Sequence, residues 1–224
     1  MSKCENNCEN GGTCSAEGGC SCGGCGDCGG DGYDSFNQTL VGSQIPNMEL
    51  EAYQDDKIKK IKLHDYEGKW LVVFFYPSDF TFVCPTELEE LADNYESFQK
   101  LGAEILSVST DTVYVHKAWH DTSPAIKKIT FPMLADPTRK LCSALGVHIH
   151  NEGVALRGTF IVNPEGKIIS MEVNDNNIGR SAKELLRKLQ AAKFVSEHKG
   201  QVCPASWQPG DDTLEPGLDL VGKI

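Results

Sequence analysis

Residues 70–87 have the sequence WLVVFFYPSDFTFVCPTE, and the architecture predicted for the chain is built around this stretch. Residues 70–76 are continuously apolar and rich in β-branched and aromatic side chains, which predicts a strand buried on both faces. Apolar residues then recur at helical spacing at positions 88, 91, 95 and 98, and Gly102 follows as a stop signal. The stretch therefore predicts a strand, a loop and a helix in succession.

Cys84 lies where the loop meets the helix. Pro85 fits the first helical position, which predicts Cys84 as the N-cap. A sulfur there faces unpaired backbone N–H groups and the positive end of the helix dipole, and both favour thiolate over thiol. Thr81 could supply a hydroxyl to a substrate oxygen, and Pro77 stiffens the loop. Position 87 is glutamate, which excludes a thioredoxin-type pair of cysteines three residues apart. The alternative to a reactive Cys84 is a buried, inert cysteine.

The spacing Pro77-x-x-x-Thr81-x-x-Cys84 resembles the active-site motif of the peroxiredoxins. The resemblance implies that Arg157, in the run Arg-Gly-Thr-Phe, sits beside the reactive cysteine, with Glu87 and Arg180 as supports. A permanent cation at that position would stabilise the thiolate and the charge on oxygen as an O–O bond breaks. Without the resemblance, Arg157 is an edge-strand arginine and Glu87 a favourable first-turn acid.

Cys203 is a second candidate, in a Pro/Gly-rich segment after the last predicted helix. A sulfenic acid needs a second thiol to condense with, or it over-oxidises. Here the chain resembles typical two-cysteine peroxiredoxins, which implies that Cys203 of a partner subunit resolves Cys84 in a homodimer, with a ring of dimers expected. The alternative is a stray exposed cysteine.

The resemblance extends over about residues 38–224 and is closest to the bacterial alkyl hydroperoxide reductase peroxidase subunits, through the segments 109–112, 116–120 and 204–224. The chain lacks a Gly-Gly-Leu-Gly insertion before Arg157 and a Tyr-Phe pair near its end, which implies a peroxidase that resists over-oxidation.

Composition narrows the class of protein. The chain has 224 residues, 40% of them hydrophobic, which suits one domain with appendages. No apolar run approaches the ~20 residues of a membrane span, and the first residues lack a signal peptide, so we expect a cytoplasmic protein. The net charge of −11 argues against nucleic acid and anionic membranes as partners.

Residues 1–35 differ from the rest: they contain ten glycines and seven cysteines, and no Leu, Ile, Val or Phe. Such a segment cannot bury a core and is expected to be disordered unless cross-linked or metallated. The spacing of Cys20, Cys22, Cys25 and Cys28 suits zinc or, less well, an iron–sulfur cluster. Reversible disulfides that pass electrons to the main domain are an alternative, and a metal-scavenging tail without a catalytic role is another. An EGF-like module is discounted, because no export signal is present.

The predicted fold class is α/β, a thioredoxin-like fold with a central mixed sheet flanked by helices and an extended C-terminal arm. Residues 1–35 form the tail, 36–196 the peroxidase domain and 197–224 the arm. Strands are predicted at 49–53, 57–63, 70–76, 104–109, 132–136, 156–162 and 167–173, and helices after Cys84 and at 113–120, 138–145 and 182–196. Ser181 and Glu184 predict a capping box.

The predicted function is a thiol peroxidase that reduces hydrogen peroxide and alkyl hydroperoxides through a Cys84 sulfenic acid and an intersubunit Cys84–Cys203 disulfide. This chemistry requires no metal or organic cofactor, because the weak O–O bond needs only a nucleophile and a stabilised leaving oxygen. A dithiol or a flavoprotein disulfide reductase would then reopen the disulfide. Two alternatives stay open: a redox-regulated chaperone or peroxide sensor, and a metal-binding protein on a peroxiredoxin scaffold.

Overall fold

The computed structural model describes residues 40–223. The predicted tail at residues 1–35, with its candidate metal ligands Cys20, Cys22, Cys25 and Cys28, lies outside them. The strands are β1 (Glu49–Gln54), β2 (Lys57–Lys62), β3 (Trp70–Phe75), β4 (Ala103–Ser109), β5 (Met133–Ala135), β6 (His148–Ile149), β7 (Val154–Ala155), β8 (Arg157–Val162) and β9 (Ile168–Asn174). The α-helices are α1 (Cys84–Lys100), α2 (Val113–Thr122), α3 (Lys140–Ala144) and α4 (Ala182–Glu197).

Seven strands form one mixed sheet in the order β2-β1-β5-β4-β3-β8-β9. β3 runs parallel to β4 on one side and antiparallel to β8 on the other, and α1 is the crossover between β3 and β4. All six residues of β3 are buried, as its continuous apolar sequence predicts. The loop after β3 therefore starts from the interior of the sheet.

The sheet separates two hydrophobic clusters. Val72 and Phe74 of β3 point to the cluster that includes apolar residues of α1 and α4, such as Leu88 and Leu189. Their neighbours in the strand point to the opposite cluster, which includes Leu141 of α3. Successive side chains of β3 point to opposite faces of the sheet, so the strand contributes to both clusters. The helices α1 and α4 pack against each other on the same face.

The predicted elements agree with the structure to within one or two residues at each end, and the hairpin β6–β7 was not predicted. The predicted capping box is only half present. Ser181 accepts a hydrogen bond from the Glu184 backbone N–H at 3.4 Å. The Glu184 carboxylate accepts instead from Arg187, at 2.7 and 2.8 Å, because that guanidinium is the stronger partner.

The segment after α4 folds back along that helix. Val202 and Leu214 form an isolated antiparallel bridge, and the indole of Trp207 is buried against Phe194 with ring centroids 5.0 Å apart. The mixed sheet flanked by helices and the C-terminal arm agree with the predicted class. Within residues 40–223, no helix is both long and apolar enough to cross a membrane.

Candidate active site

The loop between β3 and α1 is held by buried polar contacts. Pro77 is buried at its start, and the Tyr76 hydroxyl donates to Asp79 at 2.8 Å. The other Asp79 oxygen lies 2.7 Å from Nδ1 of His116 on α2, and both side chains are fully buried. Nε2 of His116 lies 3.1 Å from the Leu134 carbonyl oxygen. These contacts tie the loop to α2 and β5 and so fix the approach to α1.

Sequence reasoning missed the pairing of Asp79 with His116. His120 lies one turn after His116 on α2, and its Nε2 lies 3.2 Å from the Ile129 carbonyl oxygen. Burial raises the pKa of Asp79, and the hydrogen bond and charge of His116 oppose that shift. The i, i+4 spacing of the two histidines carried no signal for this pairing, because the partner lies 37 positions earlier.

Cys84 is the first residue of α1, so the prediction that it is the N-cap was wrong by one position. Val83 already has helical dihedral angles, φ −87° and ψ −37°, and occupies the N-cap position. Its carbonyl oxygen accepts from the Glu87 backbone N–H at 3.3 Å, so the first helical hydrogen bond forms one residue earlier than Pro85 suggested. Cys84 still lies in the first turn, and its side chain is fully buried.

Arg157, the first residue of β8, contacts the cysteine directly. Its Nη1 donates to Cys84 Sγ at 3.4 Å and to Glu87 Oε2 at 2.6 Å. Its Nε donates to the Asn176 carbonyl oxygen at 2.9 Å, which fixes the plane of the guanidinium. Arg157 is buried, so water screens its charge little at the sulfur. A fixed cation at this distance stabilises negative charge on the sulfur and on an oxygen bound beside it.

Glu87 bridges two buried arginines. Besides Arg157, it accepts from the Arg180 backbone N–H at 2.7 Å, from Arg180 Nε at 2.9 Å and from Nη2 at 3.0 Å. The Arg180 guanidinium also lies 3.5 Å above the centre of the Phe74 ring. Burial lowers the pKa of Arg180, and Glu87 opposes that shift. The single carboxylate offsets one of the two guanidinium charges, so the group keeps a net positive charge, and Arg157 stays in contact with Cys84.

Thr81 is half-buried on the loop, and its hydroxyl donates to the Ser78 carbonyl oxygen at 2.9 Å. With its proton used in this way, the hydroxyl oxygen remains available as a hydrogen-bond acceptor. The structure thus brings Cys84, Glu87, Arg157 and Arg180 into one contact network, with Thr81 on the loop that leads to it.

Cys203 lies apart from this network, on the arm beside α4. Its thiol lies 4.0 Å from the Ala191 carbonyl oxygen and is half-buried. Burial raises the pKa of Cys203, and the positive charge of Arg187 opposes the shift. Cys84, Cys142 and Cys203 are all free thiols. Across residues 40–223 no three His, Cys, Asp or Glu side chains are grouped so as to hold a metal ion.

Comparison with known proteins identifies the family. The sequence profile of the AhpC/TSA family matches residues 41–171. The chain belongs to this family. A second profile, the C-terminal domain of 1-Cys peroxiredoxin, matches residues 191–221, which contain Cys203.

Individual relatives cover most of the chain. Alkyl hydroperoxide reductase C of Pseudomonas aeruginosa is 50% identical over 186 residues, 83% of this chain and all of that protein. Its counterpart from Escherichia coli is 49% identical over the same shares of the two chains. The crystal structure of Enterococcus faecalis AhpC has a TM-score of 0.72 and 48% identity, covering 74% of this chain and 99% of that one. Reduced Plasmodium vivax 2-Cys peroxiredoxin has a TM-score of 0.77 and 33% identity, covering 81% and 95%.

Membership of the AhpC/TSA family confirms the predicted peroxiredoxin resemblance, the thioredoxin-like fold and the class of enzyme, a thiol peroxidase. The same findings favour the peroxidase over the chaperone, sensor and metal-binding alternatives.

Proposed function

We propose that the chain reduces hydrogen peroxide and alkyl hydroperoxides with Cys84 as the nucleophile. The observation that supports this most directly is the 3.4 Å contact between Arg157 Nη1 and Cys84 Sγ inside a buried network. Of the three free cysteines in the described part of the chain, Cys84 is the one that receives a guanidinium hydrogen bond. It is therefore the thiol best placed to react as a thiolate.

In the first step the Cys84 thiolate attacks the terminal oxygen of the hydroperoxide. A sulfur–oxygen bond forms as the O–O bond breaks, so the sulfur is oxidised to sulfenic acid and the peroxide is reduced. The leaving oxygen departs with the electron pair of the O–O bond and takes a proton, giving water or an alcohol. Arg157 stabilises the charge that develops on that oxygen, and Thr81 accepts the O–H of the bound peroxide.

Glu87 and Arg180 act in this proposal as positioning residues. Glu87 shares its carboxylate between the two guanidiniums, at 2.6 Å from Arg157 and 2.9 Å from Arg180. Pro77 limits the freedom of the loop that carries Thr81. A rigid setting matters because a cation that must reorient during the reaction stabilises the transition state less than one already in place.

Cys203 of a partner subunit is proposed to resolve the sulfenic acid to a Cys84–Cys203 disulfide. Within one chain, the Cys203 thiol contacts the Ala191 carbonyl oxygen on α4, whereas Cys84 is fully buried in the first turn of α1. Disulfide formation therefore requires Cys84 to become accessible. A homodimer follows from the proposed pairing, and a ring of such dimers is proposed from the resemblance to the family. A dithiol or a flavoprotein disulfide reductase returns both cysteines to thiols.

The reaction as proposed uses no metal or organic cofactor. The tail cysteines are proposed as an accessory zinc or iron–sulfur site, supported only by the spacing of Cys20, Cys22, Cys25 and Cys28. Metal analysis of the purified full chain tests this: bound metal that disappears when all four are changed to serine supports it, and metal-free protein contradicts it. The cytoplasmic location and the three-part division of the chain stay predictions.

The decisive experiment for the peroxidase uses two variants. Cys84→Ser is expected to abolish peroxide consumption. Cys203→Ser is expected to keep the first turnover and to lose the intersubunit disulfide on non-reducing peptide mapping after one equivalent of hydrogen peroxide. Cys142→Ser serves as the matched control, because it removes a buried thiol that takes no part in the mechanism. Substantial steady-state turnover by Cys84→Ser would refute the assignment.

A further inference from the structure

The turn that follows β9 holds the guanidinium of Arg157 at a second point. Arg157 lies opposite Asn174 in the β8–β9 pair, and its Nε donates to the backbone carbonyl oxygen of Asn176 at 2.9 Å. Its Nη1 donates to Glu87 Oε2 at 2.6 Å. Anchors on two different nitrogens define the plane of a guanidinium, whereas one anchor leaves it free to rotate. The 3.4 Å contact of Nη1 with Cys84 Sγ therefore depends on where the Asn176 carbonyl lies.

Asp175 is the first residue of that turn. The Ile178 backbone N–H donates to the Asp175 carbonyl oxygen at 3.0 Å, so residues 175–178 form a β-turn with Asn176 and Asn177 at its centre. Asp175 Oδ1 also accepts the backbone N–H of Asn177 at 2.9 Å and the Asn177 Nδ2 at 2.8 Å. A side-chain oxygen that accepts the N–H two residues on forms an Asx-turn, which fixes the backbone between the two residues.

One peptide group joins Asp175 to Arg157. The Asn176 carbonyl and the Asn177 N–H belong to the same peptide bond, which is trans and planar, so the C=O and the N–H point in opposite directions. Asp175 Oδ1 binds the N–H and Arg157 Nε binds the C=O, each at 2.9 Å. Hydrogen bonds in such a chain also polarise one another. The Asp175 oxygen thus sets the direction and the acceptor strength of the carbonyl that holds Arg157.

We propose that Asp175 is a positioning residue for peroxide reduction, acting through this peptide to keep Arg157 in contact with Cys84. The inference rests on the proposed function. In the step concerned, the sulfur–oxygen bond forms as the O–O bond breaks, the Cys84 sulfur is oxidised to sulfenic acid, and the leaving oxygen takes the electron pair and a proton. An Arg157 held at one point must reorient as charge develops on that oxygen, and it then stabilises the transition state less.

Three substitutions of Asp175 separate the position of the acceptor from its charge. Asp175→Asn keeps an Oδ1, and because both hydrogen bonds from Asn177 go to that one oxygen, this variant should react like wild type. Asp175→Glu keeps the charge but displaces the oxygen, and Asp175→Ala removes the acceptor. We expect both to slow peroxide attack by about three- to tenfold, the effect of one weakened hydrogen bond.

Asn163→Ala is the matched control. Asn163 Oδ1 accepts the Lys167 backbone N–H at 2.8 Å in the turn between β8 and β9, at the opposite end of the hairpin from Arg157. Removing this acceptor loosens a turn of the same hairpin but leaves the peptide that holds Arg157 in place. The rate of peroxide attack should therefore equal that of wild type.

Arg157→Lys provides a second background. Lysine keeps a positive charge but lacks the guanidinium Nε–H that donates to Asn176. If Asp175 acts through that bond, Asp175→Ala should cause no further loss of rate once Arg157 is lysine. A loss as large as in the wild-type background would show that Asp175 acts by another route, and it would overturn the inference.

The test is a single-turnover experiment on the reduced full chain mixed with hydrogen peroxide over a range of pH. Peroxide loss gives the rate constant of the first step, and its pH profile reports how much Cys84 is thiolate. The inference predicts slower attack and a profile moved to higher pH in Asp175→Ala and Asp175→Glu, with Asp175→Asn and Asn163→Ala like wild type. A wild-type rate and profile in Asp175→Ala, or slow Asp175→Asn beside wild-type Asp175→Glu, would overturn it.

Two further comparisons keep the outcome clear. If Asp175→Ala does not fold, Asp175→Glu decides the question, since a wild-type rate there overturns the inference. If Cys84→Ser still consumes peroxide, the proposed function fails, and the inference fails with it. A wild-type first step in Asp175→Ala, alongside an inactive Cys84→Ser, refutes the inference alone.

Discussion

Glu87→Gln should destabilise the fold severely, although it changes a single oxygen to an amide nitrogen. The carboxylate accepts four hydrogen bonds: its Oε1 receives the Arg180 N–H and Nε, and its Oε2 receives Arg180 Nη2 and Arg157 Nη1. A glutamine can keep only one of these oxygens, and its NH2 group then faces two donors. Whichever way the amide turns, two charge-assisted hydrogen bonds are lost.

The magnitude follows from this geometry. Two charge-assisted hydrogen bonds at about 1.5–3 kcal/mol each correspond to a loss of about 3–6 kcal/mol. Removal of one partner from a buried ion pair gives a similar range, about 3–5 kcal/mol, because the remaining charges stay buried without compensation. Glu87 is only 3% exposed, so water cannot replace the lost acceptor. We therefore expect the free energy of unfolding to fall by about 3–5 kcal/mol.

Urea unfolding followed by circular dichroism measures this loss, at one protein concentration for all variants because subunit association contributes to stability. Glu96→Gln is the matched control: it is the same substitution on the same helix, where the carboxylate pairs with Lys100 at the surface. We expect that control to unfold like wild type. A loss below about 1 kcal/mol in Glu87→Gln would show that the buried bridge is not required for stability.

Three further predictions concern other parts of the fold. Burial and the charge of Asp136 raise the pKa of Cys142 from 9.0 to about 12. The contribution of the protonated Cys142 thiol to stability is thus present below pH 9 and lost as the pH rises toward 12. In pH-dependent urea unfolding, wild type should lose stability over that window more steeply than Cys142→Ala. Gly158→Ala would place a methyl group 2.7 Å from Val147 Cγ1, so calorimetry should show a loss of about 1–3 kcal/mol. Ser181→Ala removes the N-cap acceptor of α4 and should lower the unfolding free energy by about 1 kcal/mol in the same measurement. For each of the three substitutions, stability equal to that of wild type would contradict the prediction.

The elements around the site could be predicted from local sequence. Continuous apolar residues in β3 and the helical spacing after Pro85 predict the strand, the loop and α1, because periodicity and capping act between near neighbours. The motif with Thr81 and Cys84 spans one loop and the first residue of α1, and it can be recognised for the same reason. The predicted start of α1 was nevertheless misplaced by one residue. Val83 adopts helical angles, and Pro85 is compatible with the second helical position as well as the first.

The contacts that build the site needed the tertiary structure. Arg157 and Cys84 lie 73 positions apart, and Arg180 and Glu87 lie 93 apart. Arg157 reaches Cys84 because β8 pairs with β3, an arrangement that local spacing does not encode. By spacing alone Glu87 was a helix first-turn acid, and only its burial between two guanidiniums makes it their common counter-ion. Sequence thus specified the elements and the reactive groups, while sheet order and burial set their partners, because long-range pairing and desolvation depend on the whole folded chain.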